Sequence, residues 1–232
     1  GMERLADPET NINSGGQSKV KKLVIASGNA GKVREFKEIL KDWEITSMKE
    51  EGVFAEVDET GVTFEENAEI KARALADRLK TAGIDAIAIA DDSGMEVDAF
   101  DGVPGVYSAR YLGEKTPYEE KNRIILEKLI DVPEEKRGAR YVCAIAAAWP
   151  DGRINVAQAV CNGKIAHKST GTGGFGYDPI FVVPEYSRSM AELTADEKNQ
   201  ISHRGKALEK MMKILEEESM NEKKNFRKEK KD

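Results

Sequence analysis

Two short apolar runs, Leu23-Val24-Ile25-Ala26 and Ala86-Ile87-Ala88-Ile89-Ala90, each break off into a polar loop, and apolar residues return at helical spacing after the first. A chain patterned this way alternates strand and helix. After Ser27-Gly28-Asn29, the residues Val33, Phe36, Ile39 and Leu40 mark one helix face. A second helix is predicted from Thr63 to about Leu79, with Phe64, Ala68, Ala72, Leu75 and Leu79 inward and Thr63 with Glu66 as a capping box. Ala86 to Ala90 reads as a buried strand that ends at Asp91-Asp92-Ser93-Gly94. Pro117 to Ile130 fits a helix with proline in its first turn. Arg140 to Trp149 and Ile154 to Cys161 flank Pro150-Asp151-Gly152 as a strand pair around a tight turn. Ile180 to Val183 gives another strand, and Ala195 to Glu217 the last helix. With no internal repeat and no low-complexity linker, the fold class is a mixed α/β domain of two lobes spanning residues 21–217.

The first twenty residues are polar and aperiodic and read as a disordered leader, with Gly1 ahead of Met2 as an expression scar. Residues 218–232, rich in lysine and glutamate, read as a charged tail or a frayed helix end. No apolar run approaches the roughly 18 residues needed to span a bilayer, and the N-terminus lacks the layout of a signal peptide, so a cytoplasmic protein without a membrane partner is expected. The net charge of -6 argues against long duplex nucleic acid as a partner, whereas a small anion needs only a local group of lysines. Cys143 and Cys161 have no C-x-x-C spacing and read as buried thiols in a reducing compartment.

Five segments carry side chains suited to chemistry. Gly171-Thr172-Gly173-Gly174-Phe175-Gly176-Tyr177-Asp178 needs backbone that only glycine adopts easily, and Phe175 and Tyr177 are either ring faces or pocket walls for something flat or aromatics of a glycine-rich turn that plug the core. Ser27-Gly28-Asn29-Ala30-Gly31-Lys32 joins a strand to a helix, where backbone N–H groups and the positive helix end suit a phosphate. It is not a Walker A loop, because the glycine spacing is too short and Val33 stands where Ser or Thr would hold magnesium. Taken alone it is also compatible with a plain turn. Asp91 and Asp92 repel each other unless a cation or proton intervenes, and strand alternation turns only one of them toward a given site, with Ser93 beside it. Such oxygen donors suit magnesium, although a solvated acidic turn would look the same. Glu59 precedes a helix on which Asn67 and Lys71 share a face, and Lys198-Asn199-Gln200-Ile201-Ser202-His203-Arg204 places a rare histidine beside an arginine.

Together these segments resemble the inosine triphosphate pyrophosphatase family, hydrolases of non-standard purine nucleoside triphosphates. The resemblance runs from about Lys21 to Leu215 through S-G-N-A-G-K at 27–32, E-T-G-x-T-F-x-E-N-A-x-x-K-A at 59–72, A-D-D-S-G at 90–94, P-G-V-Y-S-A-R at 104–110, G-F-G-Y-D-P-I-F at 174–181 and E-K-N-x-x-S-H-R at 197–204. It implies hydrolysis of ITP, dITP or XTP to the monophosphate and pyrophosphate with Mg2+, on an elongated two-lobed fold that forms a homodimer. Under it, Glu59 and Asp92 hold the metal, Asp92 is the base with Asp91 as the alternative, and Lys32, Lys71 and Lys198 meet the phosphates. Ser93 touches substrate, residues 27–32 cradle phosphate, and Phe175, Gly176, Tyr177 and Asp178 frame base and sugar. His203 and Arg204 donate to the 6-oxo group, and a site built to bond a substrate group rejects an analogue lacking it by about 10⁴-fold. Three rivals are a Maf-like pyrophosphatase of modified or pyrimidine nucleotides, a nucleotide-binding regulator without catalysis, and a nucleic-acid binder using the lysine-rich tail. The histidine–arginine pair and glycine–aromatic loop oppose the first, the three acids oppose the second, and the third leaves the six motifs without purpose.

Overall fold

The computed structural model describes residues 22–231, and the leader predicted for residues 1–20 lies outside them. In chain order the main elements are β1 (Lys22–Ile25), α1 (Ala30–Ile39), β2 (Glu44–Ser47), the single turn α2 (Met48–Glu51), α3 (Phe64–Thr81) and β3 (Ile87–Val97). They continue with α4 (Tyr118–Lys128), β4 (Gly138–Ala148), β5 (Ile154–Ile165), β6 (Phe181–Val183), β7 (Arg188–Ser189), α5 (Ala195–Ile201) and α6 (His203–Glu229). The strands form one mixed sheet of order β2-β1-β3-β4-β5-β6-β7. β1 runs parallel to β2 and β3, and the other pairings are antiparallel. Parallel neighbours need crossovers, which α1 and α3 supply, whereas β4 and β5 meet through the tight turn at 150–153. Among the described residues no helix is long and apolar enough to cross a membrane.

The pleat of β3 divides the core. Ala88 and Ala90 turn toward α3, where Ala68, Ala72, Leu75 and Leu79 join Ala144 and Ala146 of β4 in one core. Small side chains on both surfaces let the helix lie close on the sheet. Ile87 and Ile89 turn the other way, into a core with Phe36 of α1 and Leu208, Met211 and Leu215 of α6. A third core, at the far end of the sheet, gathers Met95 and Val97 with Ile125, Leu129, Tyr141 and Phe181.

Several expectations need correction. The strand does not end at Ala90, because β4 offers ladder partners from Ala88↔Ala148 through Asp91↔Ile145 and Asp92↔Ala144 to Val97↔Ala139. The two acids are therefore mid-strand residues. They stand just past the point where β1 leaves the sheet, since its last partner pair is Ile25↔Ile89. The last helix is two helices: Ser202 is extended, with φ −63° and ψ 148°, and its hydroxyl accepts the Gly205 N–H at 2.9 Å. That break puts His203 and Arg204 at the start of α6 instead of mid-helix. α6 then runs on to Glu229, and Arg153 of the β4–β5 turn pairs with its Glu218 and Glu222. Thr63 caps α3 by accepting the Glu66 N–H at 3.1 Å, but the Glu66 carboxylate accepts from Val62 N–H, so the reciprocal capping box is not made. Pro117 precedes α4 as its cap residue.

Candidate active site

Because successive strand side chains alternate, Asp91 continues the α1/α6 face of β3 and Asp92 the α3 face. Asp91 is buried, with Lys32 Nζ of α1 at 3.2 Å and Arg204 Nε of α6 at 3.7 Å from its Oδ2. Burial alone would push this carboxyl up. Lys32, Arg204 and Lys71 outweigh it and hold Asp91 well below the usual carboxylate range. Arg204 is in turn pinned by Glu35 of α1, whose Oε2 accepts from Nη1 at 2.6 Å, while its Nε is buried with no hydrogen-bond partner. Glu35 escaped the sequence reading, although it lies one helical turn beyond Lys32.

Asp92 has the opposite character. Its Oδ2 is buried without a hydrogen-bond partner, and Lys71 Nζ stands 3.7 Å from Oδ1. Lys71 also meets Glu59 Oε1 at 3.1 Å, so one ammonium links two carboxylates. Burial raises the Asp92 carboxyl to about 6, with Lys71 and Asn67 opposing and Glu59 and Asp91 adding to the rise. Burial would lower the Lys71 ammonium, but Asp91, Asp92 and Glu59 hold it above its ordinary value. Asn67, buried one turn before Lys71, accepts from Gly61 N–H at 2.8 Å and so fixes the segment that carries Glu59. Ser93 is half-buried on the Asp91 face. Among the described residues no group of three or more His, Cys, Asp and Glu side chains is placed to surround a metal.

Residues 28–31 are exposed, as a phosphate loop requires. The N–H groups of Gly31 and Lys32, however, already point at Asn29 Oδ1, at 2.9 and 3.2 Å, and Asn29 N–H points at Ser27 Oγ at 3.1 Å. The loop caps its own helix, so an incoming anion must compete with Asn29 for these donors. Lys32 remains the loop's cationic arm.

The glycine loop is built around a buried acid. Asp178 accepts from Tyr141 Oη at 2.8 Å, Lys198 Nζ at 2.9 Å and Phe175 N–H at 3.1 Å. Gly174 and Gly176 have φ of 67° and 65°, and a Cβ on Gly174 would strike the Asp178 carboxylate. Of the two expected ring faces, only Phe175 is offered to solvent, at 54 % exposed. Tyr177 is a core residue, because the backbone reverses at Gly176 and turns its ring inward against Tyr118, with its hydroxyl donating to Ser108 C=O. Phe175 lies over Lys198 Nζ at 4.8 Å and Arg204 at 5.6 Å. Lys198 thus belongs to the Phe175 end of the site, apart from the Lys32 and Lys71 clusters. His203 stacks on Tyr141 with centroids 4.7 Å apart, and its Nδ1 is buried without a partner. Burial, then Arg204 and Lys198, keep this imidazole neutral, so it carries one donor and one acceptor nitrogen. Tyr141, a lone aromatic in an alanine-rich strand, was not singled out from the sequence.

Asp91 and Arg204 link the Lys32 cluster to His203 and the Phe175 loop, and Asp92 lies one residue away through the sheet. Two cavities, of about 490 and 340 Å3, are lined by other residues, near Val62 and Tyr107 and near His167 and Arg188.

The model of the Ham1 family matches residues 23–214. The chain belongs to the Ham1 family. The Ham1 match contains all six motifs and ends before the last four turns of α6. A curated relative from Desulforamulus reducens, a dITP/XTP pyrophosphatase, is 50% identical over 196 residues, which is 84% of this chain and 95% of the relative. The dITP/XTP pyrophosphatase of Bacillus subtilis is 45% identical over 199 residues, 85% of this chain and 98% of its own length. Among solved structures, the Staphylococcus aureus Ham1 protein superposes with a TM-score of 0.75 at 43% identity, covering 85% of this chain and 100% of that one. A Ham1 protein from Coxiella burnetii gives 0.75 at 40% identity, covering 84% and 98%.

Proposed function

We propose that this Ham1-family chain hydrolyses non-standard purine nucleoside triphosphates, namely ITP, dITP and XTP, to the monophosphate and pyrophosphate, and so cleanses the nucleotide pool. The observation that carries the reading is the pair of adjacent acids on β3 turned to opposite faces, Asp91 against Lys32 and Arg204, Asp92 beside Lys71, which it shares with Glu59. A carboxylate with a buried oxygen that no protein group claims is free to accept a proton from water. Asp92 takes a proton from water as the water oxygen bonds to the α-phosphorus. The bond from that phosphorus to the bridging oxygen breaks, pyrophosphate leaves, and the proton stays on Asp92. Lys32, Lys71 and the 27–31 loop receive the phosphates, and Ser93 contacts substrate beside them.

Glu59 and Asp92 are the residues we assign to Mg2+. Two neighbouring carboxylates, one with a buried and unpartnered oxygen, fit a hard cation that takes one or two carboxylates along with phosphates and water. Such a cation, when bound, neutralises phosphate charge and acidifies nearby water. At the other end Phe175 stacks on the purine, Asp178 with Lys198 fixes the loop, and neutral His203 with Arg204 donates to the 6-oxo oxygen. Adenine, with an amino group there, would leave those buried donors unpaired. The names of the curated relatives support the substrate class. The resemblance further supports a homodimer, and exposed Val62, Val103 and Tyr107 supply apolar surface for one. Free, buried Cys143 and Cys161 accord with a cytoplasmic setting.

The test is pyrophosphate release from ITP, dITP, XTP, GTP, ATP and dUTP, with magnesium and then with EDTA. Fast turnover of the first three, with ATP and dUTP left intact and all activity lost in EDTA, is the expected result. Preference for dUTP would favour the Maf-like alternative, and binding without turnover the regulator.

A further inference from the structure

Helix α4 contributes nothing to the reaction as read above, yet it buries two polar side chains side by side. Lys121 is 1% exposed and Asn122 is 3% exposed, and they open an inward face that continues with Ile125 and Leu129. Burying an amide or an ammonium on a helix is costly unless it binds something specific. Lys121 Nζ donates to Ala109 C=O at 3.0 Å, and Asn122 Nδ2 donates to Gly176 C=O at 3.1 Å. These two acceptors belong to segments that meet at Tyr177, whose hydroxyl donates to Ser108 C=O at 2.5 Å. Tyr118, one helical turn before Asn122, sets its ring edge-on to Tyr177 with centroids 5.1 Å apart. α4 therefore grips the glycine loop at Gly176 and Tyr177, in addition to the Tyr141–Asp178–Lys198 anchor.

Phe175 lies between the two anchors. Its own N–H is held by Asp178, and the next residue's carbonyl is held by Asn122. The ring itself stays exposed, unlike that of Tyr177. Asn122 keeps its place although its Oδ1 is buried with no hydrogen-bond partner. An apolar residue would spare that orphan acceptor, so the donor toward Gly176 is what the position requires.

We infer that Asn122 is a positioning residue for nucleobase recognition: its amide fixes the Gly176 carbonyl and thereby aims the Phe175 ring at the purine. The inference rests on the reading of Phe175 as the base platform, and a double-mutant cycle separates the two. Steady-state kinetics on ITP with magnesium would compare wild type, Asn122→Ala, Phe175→Ala and the double variant, with melting temperatures recorded for each. Phe175→Ala should raise KM about tenfold, the size of one lost base–aromatic stack. Asn122→Ala should raise KM about fivefold with kcat within about twofold, and the double variant should be no worse than Phe175→Ala. Asn122→Asp keeps the volume but loses the donor, and should match Asn122→Ala; it also serves if the alanine variant does not fold. A wild-type KM in Asn122→Asp, or single effects that multiply in the double variant, would overturn the role of Asn122. A wild-type KM in Phe175→Ala would overturn the platform itself, and the inference with it.

Discussion

Asp91 and Asp92 are neighbours in sequence and share a strand, yet they live in different electrostatic worlds. The pleat sends Asp91 toward α1 and α6, where Lys32 and Arg204 compensate its charge, and sends Asp92 toward α3, where Lys71 must also serve Glu59. The first remains an anion and organises the cations around it. The second, with a buried unpartnered oxygen and a carboxyl raised to about 6, is poised to exchange a proton. Two like charges need not repel into a shared proton when the sheet's own geometry gives each a separate counter-charge.

The largest effect expected from breaking this contrast is in Asp92→Asn, whose kcat for ITP should fall about 10³-fold, the scale of a lost general base, with the fold intact. The same change should stabilise the protein at pH 8 by about 1–2 kcal/mol, because an uneasy buried charge is removed. The wild-type Asp92 binds its proton more tightly folded than unfolded, so wild-type stability gains as pH falls through about 6 and the gap between the two proteins should close. Buried neutral His203 works the other way, losing stability below its ordinary 6.5, but it does so in both proteins and cancels in the comparison. Thermal melts at pH 8 and pH 5 check both statements.

Asp91→Asn should act on the fold instead. Leaving Arg204 and Lys32 short of a buried partner should cost about 3 kcal/mol in urea unfolding, while the folded fraction should show a raised KM for ITP, because these two cations also meet substrate, and keep most of its kcat. Loss of turnover in folded Asp91→Asn, with activity preserved in Asp92→Asn, would exchange the two roles. The smallest effect sharpens the comparison: Glu59→Gln removes a charge that raises Asp92, so in the metal-free protein the Asp92 carboxyl should titrate at lower pH than in wild type, read by carbon-13 carboxyl NMR. The magnesium concentration for half-activity should rise in the same variant.

Much of this was legible in the chain because it is local. Thr63 does cap α3, and the apolar face of that helix lies inward residue by residue as its spacing requires. The alternation rule also separates the two acids from sequence alone. What failed depended on distant partners. Nothing near Asp91 says that β4 will extend the ladder past it, and nothing near Tyr177 says that Ser108 will claim its hydroxyl. Ser202 could have been read as a cap that splits the last helix, since its hydroxyl sits three residues before Gly205. Glu35, Tyr141 and Asn122 carry no motif of their own, and their importance comes from what they hold across about 40 to 170 positions of sequence.

The division of labour on β3 is tested most directly by a carbon-13 carboxyl NMR titration of the metal-free protein, with Asp91→Asn and Asp92→Asn used to assign the two resonances. Asp92 should titrate near pH 6 while Asp91 stays ionised from pH 8 down to the lowest pH at which the protein remains folded. Two carboxyls that titrate together near 4, or an Asp92 ionised across the whole range, would contradict it.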